Sequence, residues 1–387
     1  MIRYFFILFL GLNTTAVFGT SGNNILILLS TSQVTGGGLT YKLHHYKALR
    51  DAGEKAHIML IDCDHIAQEC RTRHLPYERC TSATAVKKII HLCKKQHITL
   101  LHIHSDSETP LARAVKQHIP TIKVVRTLHG RDIFSLQALY GIDGVIAVNA
   151  NTAHELEEHN MRKRMGIKQI LHLPTFFNAT GFEQFNTNES RPAFFSRVFG
   201  LTIDSTVPVI TSIAQFYNDK YKNHKVLIRA AAQLIHDRHC NVHVMLAGYG
   251  PKKAAAMRLA NALGVDRYVH FLGNVATEHI PALLWHSDIN ALTSNEEGAP
   301  CALVEGAMLK KPLIGTRGTG MEFVVKDKET GLLFEKNNVT SLANQLEILL
   351  GNAALRHLYG QAAYAFTKQY LVPEVLIKKY CAFLRML

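Results

Sequence analysis

Hydrophobic and polar positions alternate along this chain in blocks. The short apolar runs Asn24–Ser30, His57–Ile61, Ile98–His102, Ile122–Arg126 and Val145–Val148 are bounded by polar residues or glycines and read as strands buried on both faces. Between them lie stretches with apolar residues at helical spacing, such as Ala85–Gln96 and Ala153–Asn160. Residues Asn178–Val207 break the rhythm. They are rich in Asn, Thr, Ser and Phe, contain Pro192, show no clear period, and read as a connection between two domains. The alternation then restarts with strands at Val209–Ile213, Val242–Ala247, Val269–Phe271, Asn290–Leu292 and Pro312–Ile314. Helices are expected at Lys225–His236, Lys252–Leu263, Ile280–Trp285 and around Val304–Lys310. Strands alternating with helices predict parallel sheets covered on both faces, hence an α/β fold of two doubly wound Rossmann-like domains facing each other across a cleft. The expected organisation is a leader-like segment over 1–22, domains over 23–190 and 191–370, and a C-terminal helix over 371–387 that packs back on the first domain.

Composition narrows the class. Of 387 residues, 47% are hydrophobic and 19% charged, which excludes a disordered chain. No apolar run reaches the ~20 residues of a membrane-spanning helix. Seven cysteines without a paired CxxC arrangement speak against a disulfide scaffold or a structural zinc site. The net charge of +13 favours anionic partners: phosphate compounds, an anionic lipid surface or nucleic acid. Lys and Arg are spread along the chain with no nucleic-acid motif beside them, so nucleic acid is the least favoured.

The N-terminus stands apart. Between Arg3 and Lys42 there is no charged residue. Tyr4–Leu12 is a short apolar core behind a basic start, and Asn13–Gly22 is small and polar, with Val17 and Gly19 placed for a signal-peptidase site. The segment reads as a secretory signal or short membrane anchor, or else as an extra packed helix or a start placed too early.

Candidate chemistry lies after predicted strands. Gly36-Gly37-Gly38 permits close backbone approach to a ligand at a helix start, but lacks the GxGxxG spacing and a Walker lysine, and a plain tight turn fits it equally. In the second half, Glu297 follows a strand and Glu305 falls two helical turns later, with the small-residue turn Gly298-Ala299-Pro300-Cys301-Ala302 between them. Carboxylates accept hydrogen bonds from sugar hydroxyls, and backbone N–H groups at a helix start suit a diphosphate. A solvated loop Glu and an ordinary helix Glu are the plainer alternative.

From about Asn24 onward the chain resembles the family-4 type retaining glycosyltransferases of the GT-B fold. The resemblance is carried, in order, by Gly36-Gly37-Gly38, Leu101-His102-Ile103-His104, Thr127-Leu128-His129-Gly130, Val145–Val148, and Leu173-Pro174 with Asn178 and Phe182. It continues through Lys222, Leu227–Ala230, Ala247–Pro251 including Gly250, His270–Gly273, Ser287-Asp288, the Glu297-x7-Glu305 element and Thr330–Phe334. It implies that Glu297, with the backbone of Gly298, Ala299, Cys301 and Ala302, holds donor-sugar hydroxyls, while Glu305 binds the nucleotide ribose. Lys222 then clamps the phosphates, His129 faces the reacting sugar and acceptor, and the loop at Gly37 and Gly38 closes over the donor phosphates. The first domain becomes the acceptor side and the second the nucleotide-sugar side, with no metal or other cofactor required. An acceptor that is a glycan or lipid-linked glycan, a role in polysaccharide or envelope synthesis, and work at the cytoplasmic face of a membrane follow from the same resemblance. Export after signal cleavage is the alternative location, since Arg3 before an apolar core favours translocation.

The sequence also departs from the family pattern. Gln215 stands where an Arg is usual, with Lys220 near enough in sequence to compensate; Asn223 replaces Gly after Lys222; Gly306 replaces Ala after Glu305; and Pro300 removes a backbone donor. A catalytically weakened nucleotide-sugar-binding protein, or another GT-B enzyme such as a nucleotide-sugar epimerase, is therefore weighed beside the transferase. Two further features carry alternatives. His102 and His104 share one side of a strand end, where a metal is conceivable but no partner ligand is evident. The helix Ala85–Gln96, with Lys87, Lys88, Lys94 and Lys95 opposite Val86, Ile89, Ile90 and Cys93, either packs on the sheet or lies on an anionic membrane.

Overall fold

A computed structural model of the chain describes residues 22–30, 37–129, 136–158, 164–174, 179–217, 219–298 and 300–387, with backbone alone for 37–41, 65, 136–137, 179–180 and 219–220. Two all-parallel sheets organise it. The first contains β1 (Asn24–Ser30), β2 (Lys55–Ile61), β3 (Glu78–Cys80), β4 (Leu100–Ile103), β5 (Lys123–Leu128), β6 (Gly144–Ala147) and β7 (Gln169–His172), in the spatial order β3-β2-β1-β4-β5-β6-β7. The second contains β8 (Val209–Ile213), β9 (His243–Ala247), β10 (Val269–Gly273), β11 (Ile289–Ala291), β12 (Leu313–Thr316) and β13 (Gly331–Phe334), in the order β10-β9-β8-β11-β12-β13. In both, the strand order reverses beside the first strand, the point where open α/β sheets bind ligands at their carboxyl ends.

Strand β1 shows why the apolar runs are continuous. Its odd-numbered residues Ile25, Ile27 and Leu29 enter one core, and Leu26 and Leu28 enter the core on the opposite face. A period-2 backbone covered by helices on both sides needs an apolar residue at every position. The helix Ala85–Lys95 supplies part of that cover: Ile89, Leu92 and Cys93 are buried in the second of these cores, with Val86 and Ile90 against it. Its apolar face is therefore spent on the sheet, and Lys87, Lys88, His91, Lys94 and Lys95 face outward.

The stretch expected to be an irregular connection is structured. It contains the short helix Ala179–Glu183 and the helix Arg191–Phe199. Ser190 caps the latter through Ala193 N at 3.4 Å, a proline lies in its first turn, and left-handed Gly200 (φ 65°) ends it. Pro192 thus starts a helix, because its missing N–H falls where a helix has no internal acceptor. Phe194 and Phe195 pack on the second sheet at Val209 and Met245, together with Leu283 of the helix Ile280–Trp285.

The chain ends by returning to the first sheet. From the helix Pro373–Arg385, Leu376, Tyr380, Phe383 and Leu384 share a core with Ile25, Ile27 and Leu29. Gly144 accommodates this helix: a Cβ there would lie 2.7 Å from Phe383 Cζ.

Candidate active site

The carboxyl ends of the two sheets meet. From the first sheet come His104 after β4, His129 after β5 and Asn149 after β6. From the second come Gln215 after β8, Gly248–Gly250 after β9, and the loop Thr293–Gly298 after β11. Contact is at backbone level. Asn149 Nδ2 donates to the Glu297 carbonyl at 3.2 Å, and a Cβ on Gly298 would lie only 2.2 Å from the His129 carbonyl oxygen. Gly320 lies on the other side of the same turn, its N–H donating to the Glu297 carbonyl at 3.0 Å. A side chain at Gly298 or Gly320 would drive these segments apart, so glycine is required by close approach.

Lys222 ends the short helix Asp219–Lys222, and its Nζ lies 2.7 Å from Glu297 Oε2. Both side chains are shielded from solvent, the carboxylate more than the ammonium. Asn223 sets this geometry. It adopts the left-handed conformation (φ 41°, ψ 45°), its carbonyl accepts from Thr293 Oγ1 at 3.1 Å, and its Nδ2 donates to Asn295 Oδ1 and Asn337 Oδ1. Asn is the side-chain-bearing residue that tolerates this backbone best, which explains how it stands where a Gly was expected. The Tyr221 carbonyl also accepts from Asn295 N at 2.7 Å, so the lysine segment and the Glu297 loop are laced together.

Gly248 (φ 153°) and Gly250 (φ 141°) follow β9 with their backbones against the Ala214–Phe216 turn; a Cβ at Gly250 would lie 2.6 Å from the Phe216 carbonyl. Gln215, half-buried, lies in that turn. Cys301 and Ala302 form the first turn of the helix Cys301–Met308, preceded by Pro300. Glu305 is one turn further on, and burial pushes its carboxyl up to about 8. The other departure in this helix also has a structural reason. Asn290 on β11 sends Nδ2 to the Ala302 carbonyl at 2.5 Å, filling the space that a Cβ on Gly306 would need. An apolar recess lies under the turn, lined by Val148, Pro174, Pro300, Cys301, Val304 and Phe323.

The structure thus brings together Glu297, Gly298, Lys222 and His129, and places Gly250, Gln215, Cys301, Ala302 and Glu305 on the second sheet's strand ends and the helix after them. Gly37 and Gly38 open the helix Gly37–Asp51 behind the end of β1. Ala299 lies outside the described residues, as does the side chain of Lys220.

Beneath His129 is a histidine cluster that the sequence showed only in part. His104 Nδ1 lies 3.1 Å from His129 Nε2, and His102 is bonded on both nitrogens, to Thr127 Oγ1 at 2.7 Å and Tyr380 Oη at 2.9 Å. His45, from the helix Gly37–Asp51, closes the group, and ligand atoms of His45, His102 and His104 lie within 4.8 Å of one another. The partner absent from the strand sequence therefore comes from a helix. His102 would have to release Thr127 or Tyr380 to bind an ion. Burial holds His45 and His129 neutral, each lowered to about 3, and keeps His102 and His104 well below the usual range, with the Lys42 ammonium adding to the effect on all but His45.

Two facing Rossmann-like domains with converging strand ends define a GT-B architecture. Anabaena Alr3699/HepE in complex with UDP has this fold, with a TM-score of 0.78 at 19% identity over 94% of this chain and all of that one. Residues 197–366, which hold most of the second domain, match the family of glycosyl transferases group 1. Among curated relatives, N-acetyl-alpha-D-glucosaminyl L-malate synthase of Bacillus anthracis is 26% identical over 309 residues, 76% of each chain. D-inositol 3-phosphate glycosyltransferase of Corynebacterium aurimucosum is 29% identical over 171 residues, 42% of this chain and 41% of its own.

Proposed function

We propose that this chain moves a sugar, with retention of anomeric configuration, from a nucleoside-diphosphate sugar to a glycan or lipid-linked glycan in envelope or glycoconjugate synthesis. The Lys222–Glu297 ion pair at the meeting of the two sheets carries the reading. Residues 191–370 act as the donor side and 23–190 as the acceptor side. When a donor enters, its diphosphate takes over the Lys222 ammonium and its sugar hydroxyls take over the Glu297 carboxylate, so neither charge is left unpaired. As the glycosidic bond to the diphosphate breaks, negative charge grows on the leaving phosphate beside Lys222, and the fixed cation stabilises that charge without reorganisation. Glu305 accepts from the ribose hydroxyls, Gly250 and Gln215 line the phosphate side, and His129 faces the reacting carbon from the first domain. Lys222 supplies the cation, so this reading needs no metal.

The UDP held by Alr3699/HepE and the N-acetylglucosaminyl group in the Bacillus relative's name suggest UDP sugars as donors. No helix among the described residues is long and apolar enough to cross a membrane; we place the protein at a membrane surface through its basic charge, on the cytoplasmic face. The test is release of nucleoside diphosphate from a panel of UDP-glucose, UDP-galactose, UDP-N-acetylglucosamine and GDP-mannose with mixed acceptors. Release coupled to a new α-glycoside is expected. Tight binding without turnover would mark a binding protein, and a new sugar epimer without a glycoside would mark an epimerase.

A further inference from the structure

We infer that His104 is a positioning residue for His129, held in place by a ladder that runs from Tyr380 on the C-terminal helix through His102. The inference rests on the reading of His129 as the residue facing the reacting sugar. Its geometry is continuous. Tyr380 and Thr127 fix His102 by its two nitrogens, so that ring cannot turn without losing a hydrogen bond in a buried site. His104 stacks on His102 with ring centres 4.5 Å apart and planes 20° apart, and His45 and Tyr380 pack edge-on at 4.6 Å. At its edge His104 meets His129: Nδ1 lies 3.1 Å from His129 Nε2, with the ring centres 5.3 Å apart and the planes 28° inclined. The backbone is held as well: Glu108, fully buried, accepts from His104 N at 2.6 Å with one oxygen and from Ser30 N at 2.8 Å with the other.

A ring bonded at one nitrogen and stacked on a fixed neighbour has one orientation. In a neutral imidazole, one nitrogen donates and the other accepts. Across the His104 bond one ring must donate and the other accept, so the bond ties the tautomer of His129, and with it what His129 presents to a ligand, to that of His104. Tyr380 is 251 residues from His129 in sequence (380 − 129), yet it completes the support. This gives the returning C-terminal helix a part in the reaction geometry beyond its packing.

Asn and Gln separate positioning from simple burial. His104→Asn keeps a hydrogen-bonding group near the Nδ1 position, whereas His104→Gln moves it to the Nε2 position, away from His129. UDP release from UDP-glucose and UDP-N-acetylglucosamine is measured for both variants and for His129→Ala. His104→Gln is expected to lower kcat roughly 10- to 100-fold with KM little changed, the scale set by a misplaced reacting group, and His104→Asn to recover most of it. Nitrogen NMR of the His129 imidazole, identified by its loss in His129→Ala, should show one tautomer in the wild type and His104→Asn and a mixture in His104→Gln. Wild-type kcat in His104→Gln, with His129→Ala inactive, would overturn the positioning role and leave the reading of His129 intact. Full activity in His129→Ala would overturn that reading and this inference with it. Mixed tautomers at His129 in the wild type would overturn the inference without any variant at 104.

Discussion

The Glu305 carboxyl has no hydrogen bond or ion pair to another described residue, and burial pushes it up to about 8 from an ordinary value of 4.5. Because the folded-state value is the higher one, the folded chain holds a proton that the unfolded chain has released between those limits. Stability therefore falls as pH rises from about 4.5 toward 8 and is flat beyond. Glu305→Gln should raise the melting temperature of the ligand-free protein at pH 8.5 and change it little at pH 5. Equal shifts at the two pH values in thermal melts would show that Glu305 is not the source. Glu305→Ala should mainly weaken nucleotide binding. The places of Glu297 at a strand end and Glu305 in the helix after it were legible in the sequence, because an apolar run, a small-residue turn and a helical stretch follow one another there; their pairing came only from the resemblance. Asn149 was not: it reaches the Glu297 carbonyl across 148 residues of chain, a contact that no local pattern encodes. Asn223 was seen only as a substitution; its positive φ explains why Gly is usual there, and the tolerance of Asn for that backbone explains why it can stand in.

At the scale of elements, the helix Cys301–Met308 and strand β11 fit through one paired choice, Asn290 with Gly306. A Cβ at residue 306 would lie 2.0 Å from Asn290 Nδ2, so Gly306→Ala should destabilise by roughly 1–3 kcal/mol, the usual cost of overpacking. Adding Asn290→Ala should recover most of that loss, since alanine then favours the helix over glycine by up to about 1 kcal/mol. Denaturant midpoints for the two single variants and the double variant test this, and additive losses would refute the pairing. Most elements were readable because strands buried on both faces give unbroken apolar runs. Several of those missed lack such runs. Strand β3 is three residues long and exposes Glu78 and Arg79, β7 is half-buried throughout, and the helix Arg191–Phe199 was masked by a proline that sits in its first turn.

Across the whole molecule, neutral buried histidines tie stability to pH in the opposite sense. His45 and His129 are lowered to about 3, and His172 and His270 to about 4, chiefly by burial. Around the first pair stand His102, His104, the Lys42 ammonium and, near His129, Arg126, which add repulsion for any new positive charge. Since their folded values lie below 6.5, their contribution is complete above pH 6.5 and is lost as pH falls through the window below it. The melting temperature should drop clearly between pH 7 and pH 5. A melting temperature that stays level over that range would contradict neutral burial of the cluster. At the junction of the two sheets, the Lys222–Glu297 ion pair carries the proposal that a diphosphate and a sugar bind there. Its most direct test is steady-state release of nucleoside diphosphate by Lys222→Ala, with thermal melts confirming the fold. Loss of the cation should raise KM and cut kcat by about 10²-fold or more, because phosphate charge is present on binding and larger at the transition state. Unchanged kcat and KM in a folded Lys222→Ala protein would place the diphosphate elsewhere.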